Sequence, residues 1–232
     1  MLTIEGVDQF YGESHTLWDL SMMVPEGSCT CLMGRNGVGK TTTLKVVMGL
    51  LPVRGGSVRF RDREVSGLPA EERAGSGVAY VPQGRHVFAR LTVEENLKIG
   101  LAINRGAFGR RAYERVLELF PVLKTMLHRF GGDLSGGQQQ QLAIGRALVL
   151  EPELLILDEP TEGIQPNVVH EIGDTIIRLN KEEGLTVLLV EQKLPLARRV
   201  ADRFYILDKG RAVAQGAMDE LSDDVVRQFL TV

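Results

Sequence analysis

The sequence predicts an α/β protein built on a mostly parallel sheet, with a helical segment inserted into it. Three observations point there. Short apolar runs such as Leu154–Leu157 and Val187–Val190 suit strands buried on both faces. After Pro152 strands and helical stretches alternate, which is the pattern of a parallel sheet covered on both sides. From Leu91 to about Leu150 the apolar spacing turns helical.

Each element has its own reason. Leu2–Phe10 and Ser57–Arg61 alternate as strands do. A Gly-rich turn separates the strand Cys29–Met33 from a helical stretch, Thr42–Met48. Gly77–Val81 is a short buried strand that stops before Pro82. The insertion holds helices over Val93–Leu101, Ala112–Phe120 and Gln138–Leu150, with loops at Gly106, Gly109, Gly131 and Gly132. Thr92 followed by Glu95 caps the first of them. Leu154–Asp158 is a strand, Val168–Leu179 a helix and Thr186–Val190 a strand. Arg203–Leu207 and Ala212–Gln215 flank Asp-Lys-Gly, a hairpin turn. The charged run Arg61–Glu64 reads as a solvated face.

Length and composition exclude several classes. At 232 residues the chain is long enough for one large domain, or for one domain plus a modest insertion, and too short for a multidomain machine. Hydrophobic residues at 44% and charged residues at 25% are ordinary for a globular protein, so a disordered tail is excluded. The 27 basic residues against 30 acidic ones give no basic excess for nucleic acid. No apolar run approaches the roughly 18–20 residues that cross a bilayer, and Met1–Phe10 carries no secretory pattern. Cys29 and Cys31 share one face of a strand. Their spacing suits two small buried residues rather than a metal or redox pair, and predicts a reducing compartment, the cytosol.

The chemistry concentrates after three strands. Gly34-Arg-Asn-Gly-Val-Gly-Lys-Thr41 fits the phosphate-binding pattern, with a strand before it and a helix after it. Gly34, Gly37 and Gly39 let backbone N–H groups turn inward, and the helix N-terminus adds its dipole. Lys40 can reach the β- and γ-phosphates, and Thr41 can offer its hydroxyl to Mg²⁺. Asp158 and Glu159 end an apolar strand, where open α/β sheets bind ligands. Asp158 can hold Mg²⁺ through water, and Glu159 can orient or deprotonate an attacking water. Alone, such a pair also serves to cap a turn. Gln83 in Tyr-Val-Pro-Gln-Gly can touch both Mg²⁺ and water, or it is an ordinary polar loop residue.

Leu134-Ser-Gly-Gly-Gln138 carries a family resemblance. With it, essentially the whole chain resembles the ATP-binding cassette ATPases of ABC transporters. Ser135, the N–H groups of Gly136 and Gly137, and the helix that starts at Gln138 make a second anion site. One chain cannot close both anion sites on one γ-phosphate, so the resemblance implies two chains head to tail with ATP between them. It implies a single cassette domain over 1–232, with a phosphate-loop core of mostly parallel sheet. It adds an N-terminal antiparallel β subdomain and a helical subdomain inserted at 84–150. ATP contacts fall on Tyr11, stacked on adenine, and on Gly34, Arg35, Asn36, Gly37, Val38, Gly39, Lys40, Thr41 and Thr42. Thr41, Gln83 and Asp158 would hold Mg²⁺, and Glu159 matches the catalytic carboxylate.

Two positions depart from the family pattern. The switch residue, usually His, is Gln192 here, which can hydrogen-bond a γ-phosphate oxygen but carries no proton near neutral pH. Gln165 stands where the loop after the acidic pair usually has Asp. Together with Arg35, Gln83 and Thr161–Pro166 these residues resemble the ATPases of urea importers, within the branched-chain amino-acid importer group. The amino-acid relatives more often carry Glu at position 83. The resemblance implies separate integral-membrane permease subunits, a substrate-binding protein, and a second ATPase chain in a heterodimer. It places the chain on the cytoplasmic face of the inner membrane and gives it no nucleic-acid partner. Two other classes fit less well. A cassette ATPase working on ribosomes or DNA usually has two cassettes or a further insertion, and a phosphate-loop kinase has no use for Leu134–Gln138.

Overall fold

The computed structural model describes residues 1–101 and 107–230. Its centre is a six-stranded sheet in the order β10-β9-β3-β8-β7-β6. The strands are β3 (Cys29–Met33), β6 (Val78–Val81), β7 (Leu154–Asp158), β8 (Thr186–Val190), β9 (Arg203–Asp208) and β10 (Arg211–Ala217). All neighbours pair in parallel except β9 and β10, the expected hairpin.

Side chains alternate across this sheet, and each face meets a different cover. Cys29, Cys31, Met33, Leu155, Leu157, Val187 and Leu189 pack on the helical side. Its helices are α3 (Val93–Leu101), α4 (Ala107–Leu119), α5 (Pro121–Lys124), α6 (Gly136–Leu148), α7 (Pro166–Ile177) and α8 (Leu194–Val200), and α9 (Asp223–Phe229) closes the chain. Leu32, Leu154, Ile156, Leu188 and Val190 point the other way, into a core shared with α1 (Lys40–Val47) and a second sheet. That sheet is antiparallel, in the order β2-β1-β4-β5, from β1 (Leu2–Tyr11), β2 (Ser14–Val24), β4 (Gly55–Phe60) and β5 (Arg63–Glu64). A short helix, α2 (Ala70–Gly75), follows it.

The phosphate-loop core and the N-terminal antiparallel sheet are therefore as expected. Burial drives the Cys29 thiol up to about 12 and also pushes the Cys31 thiol well up, so both stay protonated core residues. The Thr92 cap also forms: Glu95 N donates to Thr92 Oγ1 at 3.1 Å, and Thr92 N donates to Glu95 Oε2 at 2.8 Å. Gly109 is a correction, because it lies inside α4 rather than in a loop. The loop expected at Gly106 lies outside the described residues.

β2 is a strand that the apolar pattern hid. Its buried residues are Leu17, Leu20, Met22 and Val24, so the period of two breaks between Leu17 and Leu20. The break is a bulge: the β1–β2 register shifts there, and Asp19 takes φ 48°.

Candidate functional site

Parallel strands deliver their C-terminal ends to one edge of the central sheet, and the chemistry-bearing residues follow those ends. Gly34–Gly39 leaves β3, Gln83 follows β6, Asp158 ends β7, and Glu191 and Gln192 follow β8. They converge on a cleft of about 460 Å³ lined by Tyr11, Asn36, Lys40, Thr41, Gln83 and Glu159, among others.

The phosphate loop is formed by backbone. A Cβ on Gly34 would sit 2.4 Å from the Leu207 carbonyl oxygen, so only glycine lets the loop pass β9 this closely. Lys40 is only 5% exposed, and its Nζ donates to the carbonyls of Gly34 at 2.8 Å and Arg35 at 2.9 Å. No acidic residue occupies the first turn of α1, which leaves that end suited to an anion. At the other end, Arg73 is 2% exposed and its guanidinium donates to Val46 and Val47 carbonyls, both at 2.7 Å. It also bonds the carbonyls of Leu68 and Ser66. A cation thus caps the C-terminus of the helix whose N-terminus faces the cleft.

The acidic pair splits into two environments. Asp158 is buried, with Oδ2 accepting from the Tyr80 hydroxyl at 3.2 Å. Burial raises its pKa, against the lowering effects of hydrogen bonds from Thr41 and Tyr80. Its Oδ1 is buried without a hydrogen-bond partner, an orphaned acceptor. Glu159 sits at φ 46°, in the left-handed region, and its Oε1 lies 3.6 Å from Lys40 Nζ. Gln192 Nε2 donates to that same Oε1 at 2.5 Å and to Asn36 Oδ1 at 2.7 Å. Gln83 Nε2 donates to Glu162 Oε2 at 2.7 Å.

The structure thus brings Lys40, Thr41, Asp158, Glu159, Gln192 and Gln83 to one cleft. Tyr11 stands at its rim, 47% exposed. Ser135, Gly136, Gly137 and Gln138 lie elsewhere, at the start of α6. There Ser135 N donates to Gln138 Oε1 at 2.9 Å and Ser135 Oγ accepts from Gln138 N, which closes a capping box. Glu191 was not legible as a site residue. It is buried, and its Oε1 accepts from the backbone N–H of Gln192 and Lys193 while Oε2 accepts from Thr161 Oγ1. It fixes the turn that presents Gln192. The only sequence signal was a charge directly after a strand apolar on both faces.

A nucleotide-sized cleft at strand C-termini, a lysine in a glycine loop and a carboxylate facing it define a phosphate-loop ATPase. A protein-family model described as ABC transporter matches residues 17–162. The chain is 43% identical over 213 residues to the high-affinity branched-chain amino acid transport ATP-binding protein BraG of Pseudomonas aeruginosa, covering 92% of this chain and 91% of that protein. It is 39% identical to a probable branched-chain amino acid transport ATP-binding protein, LivF of Archaeoglobus fulgidus, over 95% and 94% of the two. A dimeric ATP-binding cassette in a post-hydrolysis state, bound to ADP and Pi, superposes with a TM-score of 0.85 at 26% identity, over 94% of this chain and 99% of that one. The chain belongs to the ATP-binding subunits of the ABC transporter family, and it is an ATPase.

Proposed function

We propose that the chain binds ATP between Tyr11 and the phosphate loop and hydrolyses it to power an importer of the branched-chain amino-acid kind. The observation that carries the site reading is the meeting of Glu159 Oε1, Lys40 Nζ and Gln192 Nε2 at the mouth of the phosphate loop.

The residues divide the work. Backbone N–H groups of 34–42 and the α1 N-terminus take the phosphate oxygens, with Arg35, Asn36, Val38 and Thr42 shaping that nest. Lys40 exchanges its carbonyl partners for β- and γ-phosphate oxygens. Glu159 accepts the proton of the attacking water, and Gln192 turns from Glu159 to a γ-phosphate oxygen. Thr41, Asp158 and Gln83 fit Mg²⁺, because Asp158 Oδ1 is an orphaned buried acceptor and Thr41 hydrogen-bonds the same carboxyl group. The ion, when bound, offsets negative charge on the β- and γ-phosphates.

The residues Ser135–Gln138 do not line their own chain's cleft, which supports a second ATPase chain that lends its signature in trans; a heterodimer fits the importer group. Permease subunits, reached through Gln83's loop, and a substrate-binding protein complete the assembly at the cytoplasmic face of the membrane. No helix among the described residues is long and apolar enough to span it.

The names of both relatives favour branched-chain amino acids as cargo over the urea expected from the loop residues. Urea remains a second reading, on one observation. Gln83 donates to Glu162, whereas the amino-acid relatives more often carry Glu and Leu at these two positions, a pair that cannot form this bond. Gene deletion separates the two readings. Loss of high-affinity uptake of labelled leucine, with urea uptake unchanged, is the expected result. Lost urea uptake with leucine uptake intact replaces it with the urea reading.

A further inference from the structure

The hairpin that carries Tyr11 has little support at its tip. Tyr11, Gly12, Glu13 and Ser14 are all exposed, and nothing lies within 4 Å of a Cβ placed on Gly12. The backbone ladder below the tip is irregular, since the β1–β2 register shifts on both sides of Gln9. The second shift makes Thr16 an extra residue, because Gln9 faces Leu17 and Phe10 faces His15. That bulge lets His15 and Trp18, three residues apart, share one face. There the rings pile up. Phe10 and His15 stack with centroids 4.0 Å apart at 15°, and His15 and Trp18 stack at 3.5 Å and 26°. His15 Nε2 donates to Asp8 Oδ1 at 2.8 Å, and the same oxygen accepts from Asp19 N at 3.1 Å. The outer end of the stack is fastened to the turn between β9 and β10. The Arg211 guanidinium lies 5.4 Å from the Trp18 ring centre, and Trp18 N donates to the Gly210 carbonyl at 3.0 Å.

We infer that His15 is a positioning residue for the base of the nucleotide: its ring, held between Phe10 and Trp18, sets where Tyr11 stands. Phe10 and Tyr11 are adjacent in β1, so the stack fixes the backbone from which the Tyr11 ring extends. Thr16, the bulged residue, lines the cleft together with Tyr11, so the same distortion shapes the cleft's mouth. His15 does not line the cleft, and it therefore acts through Tyr11 rather than on the base. It keeps the platform in place before the base arrives, which lowers the ordering cost of binding. The inference rests on the reading of Tyr11 as the adenine contact and adds the residue that holds it.

Calorimetry on the full chain tests it with two ligands, Mg-ATP and inorganic triphosphate with Mg²⁺, which has no base. His15→Ala is expected to weaken ATP binding about fivefold, the scale of one stacking contact, and to leave triphosphate binding unchanged. Combined with Tyr11→Ala, it should add no further loss. His15→Phe, which keeps a ring in the stack, should bind ATP as the wild type does. His15→Gln, which keeps only a donor for Asp8, should bind it as weakly as His15→Ala. Trp18 is the only tryptophan in the chain, so its emission should change when His15→Ala removes its neighbour. Each of four results overturns the inference: wild-type ATP affinity in His15→Ala, equal losses for ATP and triphosphate, losses that add in the double variant, or Trp18 emission that does not change. Wild-type ATP affinity in Tyr11→Ala would remove the reading of Tyr11 and the inference with it. A wild type that binds no Mg-ATP would overturn the ATPase reading itself.

Discussion

The two halves of the cleft are built on different principles. The phosphate-loop half is held by backbone: Lys40 rests on two carbonyls, Gly34 passes under Leu207, and Arg73 clamps the far end of α1. The opposite half meets the cleft through contacts between side chains. Gln83 rests on Glu162, and Gln192 rests on Glu159 and Asn36, with all but the half-buried Glu159 at exposed positions. On the proposed reading the backbone of the first half is set before ligand arrives, with only Lys40 exchanging its partners, whereas the second half must exchange its side-chain contacts when ligand comes. Preorganised donors cost no rearrangement at the moment of reaction, whereas exchangeable contacts permit a response.

The largest expected effect strikes where the halves meet. Lys40→Ala should abolish both tight ATP binding and turnover, because it removes the buried charge aimed at the phosphates. Glu159→Gln keeps shape and hydrogen bonding but loses the base, so ATP should still bind while turnover in the assembled transporter falls about 10²–10⁴-fold. Equal turnover in wild type and Glu159→Gln would remove Glu159 from the role assigned to it.

Arg73 sharpens the contrast from a distance. Arg73→Met leaves the carbonyls of Val46, Val47, Leu68 and Ser66 without their shared donor. Loss of charged hydrogen bonds and exposure of buried acceptors should cost about 3 kcal/mol in denaturant unfolding. ATP affinity should fall as well, since α1 carries the phosphate loop. A variant with unchanged stability would show that the C-terminal clamp is idle.

Gln192 belongs to the exchangeable half, and its effect should be smaller. Gln192→Ala should slow hydrolysis in the complex, and Gln192→His should be tolerated. Only the His variant should gain a titration in its pH–rate profile near ~6.5. Normal hydrolysis by Gln192→Ala would make this position a plain loop residue.

The same division decides what could be read in advance. The backbone-built half was legible, because glycines at fixed spacing between an apolar strand and a helix leave little choice of structure. The acidic pair was legible for a similar reason, since Leu154–Leu157 fixes where Asp158 must emerge. In the side-chain half Gln83 and Gln192 were legible as candidates, but the partners that hold them were not. Gln83 and Glu162 are separated by 79 residues, and no local pattern announces their bond. Arg73 carried no signal in the sequence, yet it is buried against carbonyls 26 and 27 residues away. Glu191 hid behind the neighbouring Gln192. β2 was missed because a bulge at Asp19 breaks its alternation.

The smallest expected effect is one of sign, and it lies at Asp158. Burial raises this carboxyl above its ordinary value of 3.8, so the folded chain holds the proton more tightly than the unfolded chain does. Below the unfolded value both states are protonated and the group costs nothing. As pH rises through the raised folded value, the buried charge appears and stability falls by the linkage relation. Asp158→Asn removes that charge while keeping an acceptor for the Tyr80 hydroxyl. Without nucleotide, the variant should melt higher than the wild type at pH ~7, and the gap should close toward pH ~3. With Mg-ATP the order should narrow or reverse, because ligand stabilises the state that binds it and Asp158 is a proposed holder of the metal. Melting curves at both pH values, with and without Mg-ATP, give the four comparisons. A variant that melts below the wild type at neutral pH without nucleotide would mean that Thr41, Tyr80 and Lys40 together outweigh the burial of the charge, and that this residue belongs with the preorganised half after all.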